Sequence, residues 1–65
     1  MEQGTAPPGW QVAAEVDSRL EADLVARLLA ARDIASVVVV GGTGDFAVYV
    51  AADDRASAAQ TLDVA

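Results

Sequence analysis

The sequence predicts an α+β fold of order β-α-β-β-α, a split β-α-β unit that is ferredoxin-like but lacks the usual fourth strand. Three observations carry this reading. Residues 10–16 alternate along the chain as a half-buried strand does, and leucines recur at helical spacing from Leu20 to Leu28. "SVVVVGGTGDFAVYVA", residues 36–51, sets a glycine-bearing loop between two runs rich in β-branched and aromatic side chains, which is the signature of a hairpin. With one helix ahead of that hairpin and another behind it, strand one pairs beside strand three. The expected sheet is three-stranded and antiparallel, in the order 1-3-2, with both helices on one face.

The first nine residues hold Gly4, Thr5, Pro7, Pro8 and Gly9 and no periodic apolar pattern. They are expected to form a flexible N-terminal tail, residues 1–9, ahead of a single domain over 10–65. In strand one, Trp10, Val12, Ala14 and Val16 alternate with Gln11, Ala13, Glu15 and Asp17. Unbroken alternation places Val12 in the core and Ala13 on the opposite, open face.

Ser18 stands three residues before Glu21, the spacing of a capping box in which hydroxyl and carboxylate each satisfy an orphan backbone amide. In the helix that follows, Leu20, Leu24, Leu28 and Ala31 make the predicted buried line, widened by Val25 and Leu29. Asp23 and Arg27 form an acid-first i,i+4 pair that supports the helix by a few tenths of a kcal/mol. Asp33 is the expected left-handed residue at the helix end, since Asp tolerates positive φ better than most side chains. Ile34 then returns the chain to the core.

Strand two is expected over 36–40 and strand three over 46–51. In strand three Phe46, Val48 and Val50 share one face, and Ala47, Tyr49 and Ala51 share the other. Asp53 or Asp54 is placed to cap a last helix, whose thin apolar stripe is Ala56, Ala59 and Leu62. "GGTGD", residues 41–45, superficially resembles a phosphate-binding loop. Such a loop passes from a strand into a helix, whereas here a strand follows, no lysine is present, and Asp45 would repel phosphate. It reads as a turn whose glycines supply positive φ.

Composition narrows the chemistry. At 65 residues the chain is near the lower limit at which one hydrophobic core stabilises a fold without staples or self-association. It has no cysteine, histidine or lysine, so thiolate and imidazole metal sites, disulfides, cysteine nucleophiles and imidazole bases are all excluded. Its serines and threonines have only carboxylates to activate them, which points away from an enzyme. The vicinal pair Asp53–Asp54 lacks the converging oxygens that a hard cation needs. Arg19 and Arg55 could clamp an anion between helix N-termini, but scattered solvated arginines are the simpler reading. No cofactor is expected.

The formal net charge is −6, which opposes binding to nucleic acid or anionic lipid. No stretch approaches the roughly 20 apolar residues of a membrane span, so no membrane insertion is expected. "MEQGTAPPGW" has neither the basic region nor the apolar core of a secretory signal, and the expected location is a bacterial cytoplasm.

With a fourth strand missing, the edge of strand one is left open, and an exposed edge either is blunted or recruits another strand. Glu15 and Asp17 could blunt it, whereas Trp10 and Val12 argue for a covered edge. The face away from the helices would carry Ala13, Ala47, Tyr49, Ala51 and alternate valines of 37–40, more apolar than a solvated surface requires. The expected interface is therefore Trp10, Val12, Ala13, Ala47, Tyr49 and Ala51. The function these features predict is a non-enzymatic regulatory or adaptor module acting through protein contacts, as a homodimer or as a small subunit of a larger complex. The alternative is a regulatory domain that binds a small-metabolite effector at a dimer interface.

Two segments, "VDSRLEADLVARLLAARDIASVVV" and "FAVYVAADDRASAAQTL", carry a family resemblance. A small polar pair ends a strand at Asp17 and Ser18. Glu21 and Ala22 open a leucine-rich helix, Ile34 and Ser36 lead into strand two, and Asp53, Asp54 and Ala56 follow Val50. In these respects the chain resembles the prokaryotic signal-transducing protein family, small bacterial domains without an assigned biochemical activity, over roughly residues 11–63. Relatives often have Gly where Asp33 stands, Pro near Ala52, and a longer loop or a Cys-bearing segment that this chain lacks. The resemblance implies a fold like that of the PII signalling proteins and a regulatory or adaptor role. PII proteins carry an effector loop between strands two and three, where this chain has only "GGTGD".

Overall fold

The computed structural model describes residues 6–64. Its elements follow the order β1 (Trp10–Val16), α1 (Arg19–Ala30), β2 (Ser36–Val40), β3 (Phe46–Ala51), a short 3-10 turn (Ala52–Asp54) and α2 (Arg55–Val64). The sheet is three-stranded, β1-β3-β2, and both outer strands run antiparallel to β3. Two helices on one face of this sheet give the predicted ferredoxin-like unit without a fourth strand.

Part of the leader falls outside the described residues, namely 1–5 of the expected tail. The remainder is not featureless: the Trp10 N–H donates to the Pro7 carbonyl at 3.2 Å, and Gly9 takes φ 84°. Proline second and a positive-φ glycine third is the arrangement of a type II turn, and it delivers the chain into β1.

Ser18 caps α1 in extended geometry, its Oγ accepting from the Glu21 N–H at 3.1 Å. Only this half of the expected capping box is among the hydrogen bonds formed. The helix closes as predicted at Asp33, φ 62°, with the Ile34 N–H reaching back to the Leu29 carbonyl at 2.9 Å. That six-residue closure satisfies carbonyls the last turn would otherwise leave orphaned, and it turns Ile34 inward.

The core lies between the sheet and the two helices, and consists of Ala22 and Leu29 from α1, Ile34, Val48 and Val50 from β3, and Ala58 from α2. Leu29, Val48 and Val50 are its largest fully buried side chains. Each stabilises the fold by about 1.5–3 kcal/mol through removal of apolar surface from water.

Both helices present different faces from those expected. In α1 the buried line is Ala22 and Leu29 with Val25 packed beside it, whereas Leu20, Leu24 and Leu28 are 70%, 50% and 41% exposed. The helix is apolar on two sides. The alanine-bearing side, with little bulk at Ala22, is the one that allows close approach to the sheet. In α2 the buried residues are Ala58 and Thr61 with Leu62 alongside, while Ala56 and Ala59 are exposed. Thr61 satisfies its hydroxyl by donating to the Ser57 carbonyl at 2.9 Å, so it can occupy a core position.

Nor does Asp53 or Asp54 cap α2. The chain enters that helix through the 3-10 turn, whose N-cap is Ala51 with no side-chain bond. Both carboxylates sit in its first turn, where the positive end of the backbone dipoles favours them.

"GGTGD" is the hairpin turn. The Gly41 N–H donates to the Asp45 carbonyl at 2.8 Å, and Gly44, φ 92°, donates back to the Gly41 carbonyl at 3.3 Å. A turn followed by one left-handed residue is a standard three-residue hairpin loop. Gly44 alone in it needs positive φ. Gly41 is constrained in a different way, because a Cβ there would meet the Asp45 carboxylate, which would have to shift.

Candidate functional site

The face of the sheet away from the helices is uncovered by any element among the described residues. Residues opposite one another in antiparallel strands share a face, so the register assigns its members directly. Tyr49 stands at the centre, opposite Val12 on β1 and Val37 on β2. Along β3 it is flanked by Ala47, opposite Glu15 and Val39, and by Ala51, opposite Trp10. Every apolar member of this grid is half-buried, and Glu15, exposed at the margin, is the charged residue among them. The tyrosine brings one polar hydroxyl to an otherwise apolar patch of valines, alanines and Trp10.

Five of the six expected interface residues are brought together here: Trp10, Val12, Ala47, Tyr49 and Ala51. Ala13 is not among them. The register of β1 on β3 slips between Val12 and Ala14, leaving Ala13 as the extra residue of a β-bulge. Val12 therefore faces outward beside Tyr49, while Ala13 packs against the core. This reverses the expected assignment. It also moves Trp10 from the buried face to the open one, because the bulge shifts the alternation by one residue for everything before it. Val16, beyond the bulge, keeps its predicted place against the core.

The bulge also alters the edge of β1. The carbonyl of Val12 accepts a hydrogen bond from Arg55 Nε at 3.1 Å, across 43 residues of sequence. With this contact, the bulge itself, and exposed Gln11 and Glu15, the β1 edge has several of the features that discourage strand addition. Of the two arginines that the sequence offered as an anion clamp, Arg55 engages Val12 through its Nε–H.

Two further polar contacts serve the fold. Thr43 Oγ1 donates to the Asp45 carboxylate at 2.9 Å within the hairpin loop, and Ser18 caps α1. No group of three or more metal-ligating side chains converges among the described residues. No helix among them is long and apolar enough to cross a membrane. A cleft of about 630 Å³ lies between the end of α1 and α2, with Arg32, Asp33, Asp54, Gln60 and Asp63 on its walls.

No family model matches this chain, and neither does any curated protein or solved structure.

Proposed function

We propose that this chain is a non-enzymatic regulatory or adaptor module that acts through protein contacts, and that its working surface is the open sheet face with its β1 margin. The observation that carries the proposal is the apolar grid of Trp10, Val12, Val37, Val39 and Tyr49, which no element among the described residues covers. Aromatic residues at the centre of a surface bordered by smaller side chains are typical anchors of protein interfaces. The absence of histidine, cysteine and lysine from the sequence supports a binding role over catalysis. The resemblance to the prokaryotic signal-transducing family supports a regulatory role in a bacterial cytoplasm.

The test compares partners captured by the native chain with those captured by Tyr49→Asp, after circular dichroism shows both folded. A partner held by the native chain and lost from the variant supports the proposal. Identical recovery by both excludes the open face as the working surface.

The cleft beside Arg32 and Asp54 supports a second reading, the uptake of a small-metabolite effector. A ligand selective for the folded chain raises its melting temperature, by an amount that grows with the logarithm of ligand concentration above Kd. A thermal-shift screen of nucleotides and amino acids that produces no shift removes this reading.

A further inference from the structure

We infer that a second copy of this chain adds at the β2 edge, joining two sheets into one of order 1-3-2-2-3-1. In the order β1-β3-β2 there are two edges, and they differ. The β1 edge carries a bulge, the Arg55 contact and the charged side chain of Glu15. β2, Ser36–Val40, has unbroken register with β3 and contains no charge, proline or glycine. Nothing along it blunts pairing.

The hairpin fixes which backbone groups of β2 are free. The Gly41 N–H is bonded to Asp45, so inward-facing positions recur at Val39 and Val37. Ser36, Val38 and Val40 therefore direct their N–H and C=O groups away from β3, toward the free edge. A two-fold axis at Val38 pairs Val38 with its own copy and Ser36 with Val40, forming about six main-chain hydrogen bonds. Val40, 55% exposed as the chain stands, gains a neighbouring strand in this arrangement.

Charge identifies the occupant as the same chain. Overlooking the start of β2 is the flank of α1 that bears Asp23, Ala26, Arg27 and Ala30, which with Ala35 and Ser36 line a cleft of about 540 Å³. Antiparallel β2 strands bring the two α1 helices alongside in opposite directions. Asp23 and Arg27 lie one turn apart with opposite signs, so the reversal sets each against its complement on the other copy. Neither side chain makes a hydrogen bond within the chain among the described residues. Ala26 and Ala30 leave room between the helices. The pairing leaves the open sheet face free, so the inference stands apart from the reading of that face.

Sedimentation velocity of the full chain, from micromolar to millimolar concentration, tests it. The native chain is expected to reach twice its 6.6 kDa mass. Val40→Pro removes an N–H that points outward, and Asp23→Arg sets like charges together; each should weaken the dimer by about tenfold or more. Asp23→Arg combined with Arg27→Asp should restore it. Circular dichroism monitors the fold, and if Val40→Pro does not fold, the two charge variants decide. A native chain that remains at its monomer mass throughout overturns the inference. So does a dimer that withstands Asp23→Arg, or one that is lost only on Tyr49→Asp.

Discussion

Arg55 Nε donates to the carbonyl oxygen of Val12 at 3.1 Å, tying the first turn of α2 to the bulge in β1. The bulge displaces backbone from the regular ladder, and the guanidinium provides a donor beside it. One contact thus joins the element that sets the phase of strand one to the element that closes the fold.

Replacing Arg55 with alanine is therefore expected to destabilise the chain by about 1 kcal/mol, the net worth of an exposed hydrogen bond of this type. Urea unfolding followed by circular dichroism measures it. A midpoint equal to that of the native chain would show that water substitutes fully for the guanidinium.

The bulge predicts opposite outcomes for adjacent residues. Ala13→Asp forces a carboxylate toward the core and should cost about 2 kcal/mol or more. Val12→Asp faces outward, loses a cross-strand neighbour of Tyr49, and should cost no more than about 1 kcal/mol. Urea midpoints of the two variants give the order directly, and the reverse order would place the bulge elsewhere.

For α1, Leu29→Ala opens a cavity beneath the helix, with an expected loss of about 2–5 kcal/mol. Leu20→Gln and Leu24→Gln alter exposed positions and should remain within about 0.5 kcal/mol of the native chain. Comparable losses at all three positions would mean that the leucine line is buried in solution.

Within the hairpin, Gly41 and Asp45 are coupled by close approach. Gly41→Ala should destabilise the native chain and do so much less in an Asp45→Ala background, with a coupling of about 0.5–3 kcal/mol in a double-mutant cycle. Additive effects would show that the Asp45 side chain moves aside at no cost.

Where the sequence was readable, the cause is local. Asp33 and the hairpin loop are specified by residues next to them, and β3 is a short strand whose two faces, Phe46, Val48 and Val50 against Ala47, Tyr49 and Ala51, alternate without a break in its pairing to β2. The phase of β1 was not readable, since alternation over residues 10–16 is regular and the bulge at Ala13 is stabilised by Arg55, which lies far along the chain. The buried side of α1 was obscured for a similar reason. Its two apolar sides compete, and leucine outweighs alanine in any hydrophobic pattern although the smaller side chain packs closer to the sheet. Tyr49, Ala47 and Ala51 could be assigned to the open face from β3 alone. That Val12 and Trp10 join them depends on a register slip that the sequence does not display.

The central claim is that the open sheet face, rather than the helical side, meets the partner. The most direct measurement places a photo-crosslinking phenylalanine analogue at Tyr49 in one chain and at exposed Asp63 on α2 in another, both irradiated in cells. The account predicts a discrete adduct from position 49 and none from position 63. An adduct from position 63 alone, or none from position 49, would contradict it.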